Sequence, residues 1–113
     1  MKVNLRQTGG IAGLDDELEL DEHDLTVSRS GERQTRRLTK AERARVAEAA
    51  RRLLKQSAPL GPKPEYTVSD SMLTTIEVGD KRKQRQFEVE SGQDAPDELW
   101  DLVDAMSEVA RPT

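Results

Sequence analysis

Cysteine is absent from this 113-residue chain, which removes disulfides, thiolate nucleophiles and the common structural zinc sites together. Histidine occurs once, as His23. No set of residues therefore builds a Ser-His-Asp or Cys-His catalyst, and no H-E-x-x-H, P-loop or G-x-G-x-x-G pattern occurs. The aromatics are Tyr66, Phe87 and Trp100 alone, too few for a platform on which bases stack. No stretch approaches the ~20 apolar residues of a membrane span, and the first residues hold no apolar run of signal-peptide length. These absences point to a protein that is not an enzyme, carries no cofactor, meets no membrane and resides by default in the cytoplasm.

What is present is charge. Charged residues make up 35% and hydrophobic ones 34%, with a net charge of −4. Leu, Ile, Val and Phe together reach about a fifth of the chain, near the floor below which chains stay disordered. Residues 1–113 therefore form one domain around a thin core, with a monomer as the expectation. Charge is also segregated: residues 15–24 hold seven carboxylates, and residues 29–55 hold ten Lys or Arg against three Glu. The acidic block lacks the Gly and terminal Glu spacing of a calcium loop, and His23 within it has no second His beside it to make a zinc site.

Val3 and Leu5 alternate with Lys2, Asn4 and Arg6, which predicts an opening strand. Leu18 and Leu20 alternate in the same way, so a hairpin returns antiparallel after Gly9 and Gly10. From Leu25 to Arg37 the pattern fits either a short extra hairpin, with Ser30–Gly31 as its turn, or a mobile insert. Thr39 with Glu42 three residues on is a capping box, and Ala47, Ala50, Leu53 and Leu54, with Val46 at the margin, predict a helix ending near Lys55. Pro59, Pro62 and Pro64 then force an extended connection. Met72, Thr74, Ile76 and Val78 share one parity, Gly79–Asp80 signals a turn, and Phe87 and Val89 return; an even-length loop puts both sets on one face. Leu99, Leu102, Val103, Met106 and Val109 predict a second helix opened by Asp94, Ala95 and Pro96, with Trp100 just off its stripe. The expected fold is α+β, an antiparallel sheet of four or more strands in the order ββαββα with both helices on one face.

Two segments are candidates for function. The first is the Gly-rich tip Gly9-Gly10-Ile11-Ala12-Gly13-Leu14. Its apolar side chains either fold back to cap the core or stand outward as a probe that a partner buries. The second is the basic stretch 29–55, readable as a surface for an acidic partner or a nucleic acid. The missing aromatics and the overall acidity favour a solvated, salt-bridged face, with no nucleic acid expected.

The order of parts resembles the emfourin family: R-x-x-G-G-ϕ-A-x-L on an opening strand (Arg6, Gly9, Gly10, Ile11, Ala12, Leu14), an alternating strand, a capped helix, a Pro/Gly-rich loop, an aspartate-led strand hairpin and D-A-P-x-x-L before the last helix (Asp94, Ala95, Pro96, Leu99). Emfourins are small bacterial proteins that inhibit protealysin-like members of the thermolysin family of zinc metalloproteases. Relative to them, residues from about 25 to 37 read as an insertion. The resemblance implies that Gly9 and Gly10 shape the binding loop, that Ile11 and Leu14 with the intervening Ala12 meet the protease subsites, and that Asp70 approaches the partner's zinc, with Asp15 or Asp16 as second choices. Strand directions place the loop after the first strand, the loop after the first helix and the approach to the second helix at one end of the sheet.

Overall fold

The computed structural model describes residues 1–9, 14–29, 31–56, 61, 72–80 and 82–110. Along the chain run β1 (Lys2–Gly9), β2 (Leu14–Asp21), β3 (Asp24–Arg29), β4 (Glu32–Arg37), α1 (Lys40–Lys55), β5 (Met72–Gly79), β6 (Gln84–Glu90) and α2 (Asp97–Val109). The strands form one sheet in the order β4-β3-β2-β1-β5-β6, antiparallel at every step.

The class is α+β as the alternation predicts, but the order ββαββα is corrected to ββββαββα. The segment from Leu25 to Arg37 is a second hairpin that extends the sheet by β3 and β4. Only its first strand carries apolar residues: Leu25 is fully buried and Val27 packs against the core. Every residue of β4 is exposed, so that strand has no hydrophobic period from which to read it. It is held by its ladder to β3 and by a Thr26–Thr35 hydroxyl contact of 3.0 Å.

Register makes one face of the sheet apolar. Val3 lies opposite Leu20 and Val78, and Leu5 opposite Leu18 and Ile76. Leu20 lies opposite Leu25, and Ile76 opposite Phe87. All of these join the buried stripes of both helices in one core. The other face carries the alternate residues, among them Asn4, Arg6, Glu17, Glu19 and Glu77, and neither α1 nor α2 packs on it. The turn after β5 pairs Gly79 with Gln84 across an even loop, closed by the Asp80 carboxylate, which accepts from the Arg82 and Lys83 amides. Those two amides hold the Asp80 carboxyl below its usual range.

Helix α1 begins with the expected capping box, the Thr39 hydroxyl accepting from the Glu42 amide and the Glu42 carboxylate from the Thr39 amide. Its buried stripe is Val46, Ala49, Ala50, Leu53 and Leu54. Val46 is thus central and Ala47 marginal, the reverse of the sequence reading, because the helix is rotated to seat the larger side chain. In α2 the stripe Leu99, Leu102, Val103, Met106 and Val109 is buried as predicted, joined by Ala105, while Trp100 is 39% exposed. No helix among the described residues is long and apolar enough to cross a membrane.

Arginines on the two edge strands tie the helices down. Arg36 of β4 lies opposite Leu25, on the helix-covered face, and donates to the Glu42 carboxylate and the Val109 carbonyl. Arg85 of β6 donates to the Leu53 and Gln56 carbonyls at the C-terminus of α1. The Arg85 guanidinium carbon stands 4.7 Å from the centroid of the Phe87 ring. Each cation bonds to carbonyls at the C-terminal end of a helix, where the helix dipole favours positive charge.

Candidate protein-binding end of the sheet

Strand β1 ends at Gly9, whose φ of 102° lies in the region that a side chain disfavours and glycine enters freely. Gly9 pairs with Leu14 on one side and Met72 on the other. The main chains that enter and leave the Gly-rich tip, and the start of β5, therefore sit on three adjacent strands at one end of the sheet. Gly10, Ile11, Ala12 and Asp70 lie outside the described residues, and Leu14 is placed by its backbone alone.

Hydrogen bonds fasten this end. The Ser91 amide donates to the Met72 carbonyl at 3.0 Å, and the Met72 amide donates to the Ser91 hydroxyl at 2.9 Å. Gln93, buried, donates through Nε2 to the Gly61 carbonyl at 2.8 Å and accepts from the Glu90 amide at 3.1 Å. The Gly61 amide donates to the Asp94 carbonyl at 2.8 Å. A Cβ at residue 61 would come within 2.8 Å of the Asp94 Cβ, so the close crossing demands glycine. The loop after α1 and the approach to α2 are thus lashed together beside the start of β5, at the end where strand directions predict them. Sequence reasoning missed Ser91, Gln93 and Gly61. Gly61 between two prolines was the available signal, since its glycine serves a contact rather than a turn.

Two carboxylates near this end are engaged within the chain. Asp15 accepts from Arg6 Nε at 3.2 Å and Nη2 at 3.3 Å, and this pairing raises the Arg6 pKa. Asp16 lies 3.7 Å from Arg29 Nε. Both second-choice acids therefore pair with an arginine across a contact at least partly exposed to solvent. No group of three or more His, Cys, Asp or Glu able to hold a metal ion occurs among the described residues.

The remaining sequence candidates lie elsewhere. His23 sits in the turn between β2 and β3, at the opposite end of the sheet, where its Nδ1 meets the Arg43 guanidinium. The basic stretch is divided rather than gathered. Arg29 and Arg37 pair with Asp16 and Asp24, Arg45 and Arg52 with Glu108 and Glu48, and Arg36 faces inward. A concavity of about 450 Å³ at the His23 end belongs to the open sheet face, lined by side chains such as Asn4, Glu19, Glu77 and Gln86. No family model matches the chain, and neither the curated proteins nor the solved structures return a match.

Proposed function

We propose that the protein is an inhibitor of a thermolysin-family, protealysin-like zinc metalloprotease, acting through the Gly9–Leu14 loop and a carboxylate, Asp70, that approaches the partner's zinc. The observation that carries this reading is the three-strand juxtaposition of Gly9, Leu14 and Met72. Gly9, Leu14 and Met72, the strand residues that border the loop and the segment leading into β5, stand side by side on the sheet, and fixed ends lower the ordering cost of a bound segment. The resemblance to emfourins supplies the protease class and makes Asp70 the first choice among the acids.

The chemistry is self-consistent. A catalytic zinc keeps one coordination position for water or substrate, which an inhibitor's carboxylate occupies. Ile11 and Leu14 supply the apolar side chains that such enzymes favour beside the scissile bond. The test is a titration of a thermolysin-like enzyme's activity with the full chain. Stoichiometric loss of activity is expected; unchanged activity at a large molar excess overturns the reading.

A further inference from the structure

Strand β4 differs from the other five. It is an edge, all six of its residues are exposed, and it adds no apolar side chain to the core. Among the described residues no strand pairs with its outer side, whose main-chain N–H and C=O groups are the template on which another strand pairs. It holds no proline to blunt that edge.

Register fixes the side chains along this template. Arg36 turns to the helices and is taken up by Glu42 and Val109. Arg33, Thr35 and Arg37 lie on the open face with Ser28, Thr26 and Asp24 as their β3 neighbours. Arg33 makes no ion pair among the described residues. Arg37 stands 3.9 Å from Asp24 across two mostly exposed side chains, a contact of little strength. The edge thus offers two guanidiniums on one face, four residues or about 13 Å apart.

We propose that β4 is a docking edge for an extended acidic segment of a partner protein, which adds to the sheet as a seventh strand with two carboxylates spaced four residues apart opposite Arg33 and Arg37. Main-chain hydrogen bonds supply the affinity and the charges select the strand. Charge complementarity chooses this occupant. A second copy pairing β4 with β4 antiparallel about Thr35 sets Arg33 of each opposite Arg37 of the other. The other edge, β6, carries Glu88 and Glu90 and repels the same peptide. A nucleic acid finds no aromatic on the strand to stack on. The site is independent of the protease reading, because β4 is separated from β1 by two strands.

The probe is a fluorescein-labelled peptide, Thr-Glu-Val-Thr-Val-Glu-Thr, titrated into the full chain at low salt. Binding in the range of ~10–100 μM is expected, with slowed amide exchange at residues 32–37. Arg33→Glu combined with Arg37→Glu should weaken it at least ~10-fold; Arg33→Gln with Arg37→Gln provides a milder variant, and circular dichroism verifies that both fold. Methylating alternate peptide nitrogens along one edge should abolish binding, while methylating the other edge leaves it intact, a split that charge attraction alone does not produce. Equal binding of the two methylated peptides overturns the proposal, as does no binding at ~1 mM. Capture of mixed-sequence DNA through Arg33 and Arg37 in place of the peptide, or self-association through β4 in sedimentation, also overturns it.

Discussion

Arg36 and Glu42 meet at 2.7 Å across the junction of β4 and α1, and the same guanidinium reaches the Val109 carbonyl at the end of α2. One side chain from a strand with no apolar residue thereby connects the start of one helix to the end of the other. The Arg36 hydrogen bond, followed by the Thr39 amide, lowers the Glu42 carboxyl to about 2. Because the folded value lies below the unfolded one, the stabilisation is fully present above about pH 4.5 and is lost as pH falls toward 2. The pair is partly solvated, so its worth is about 1 kcal/mol rather than the full value of the shift. Glu42→Gln should lower stability by that amount at pH 7 and flatten the stability profile between pH 4.5 and 2, as measured by urea unfolding across that range.

Leu102 is 1% exposed at the centre of the α2 stripe. Leu102→Ala should cost roughly 2–5 kcal/mol, the range for emptying a packed leucine site. Chemical denaturation monitored by circular dichroism measures it, and a loss under about 0.5 kcal/mol would mean that the site collapses around the smaller side chain.

At Gly61 the test is steric. The added methyl of Gly61→Ala meets the Asp94 Cβ and main chain, so the Gly61–Asp94 and Gly61–Gln93 hydrogen bonds must lengthen. A destabilisation of about 1–3 kcal/mol is expected, with faster amide exchange at Gly61. Retained protection at that amide would show that the crossing yields without breaking.

For the proposed inhibitor site, Ile11→Asp or Leu14→Asp should weaken inhibition at least ~30-fold, since a buried anchor contributes ~2 kcal/mol or more. Asp70→Asn should weaken it as well, because an amide is a poorer zinc ligand than a carboxylate. Asp15→Asn serves as the control, its carboxylate being held by Arg6. Activity titrations with circular dichroism controls measure all four; equal potency of the Ile11, Leu14 and Asp70 variants with wild type would remove the site assignment while leaving the function.

Most of the faces that strands and helices bury were legible: Val3 and Leu5, Leu18 and Leu20, Ile76 with Phe87, and the α2 stripe all lie where alternation or helical spacing puts them, while in α1 the spacing mistook Ala47 for a stripe residue. The capping box at Thr39 was equally plain, because a local hydrogen-bond pair has a local signature. What stayed hidden was held by polar contacts between residues distant in sequence. Arg36 to Val109, Arg85 to Leu53 and Gln93 to Gly61 span 73, 32 and 32 residues, and no periodicity announces them. For β4 the sequence left a hairpin and a mobile insert both open, as an all-polar strand looks like a loop until its partner is known; the structure shows the hairpin. Within the candidate site, the juxtaposed strand ends followed from counting directions, whereas the arginine partners of Asp15 and Asp16 emerged only from cross-strand register.

The first of the described strands in chain order is also a central strand of the sheet. β1 pairs with β2 only about a dozen residues away, but its other edge waits for β5, where Val3 meets Val78 across 75 residues. During synthesis the meander β1–β4 therefore closes by short hairpins, while the free side of β1 and its apolar face stay open until residue 79 has emerged. Helix α2 follows β5 and β6 and brings the buried stripe from Leu99 to Val109 that helps to seal that face. Truncations that remove it should leave a chain that associates through the uncovered apolar face of the sheet rather than one that folds with a smaller core.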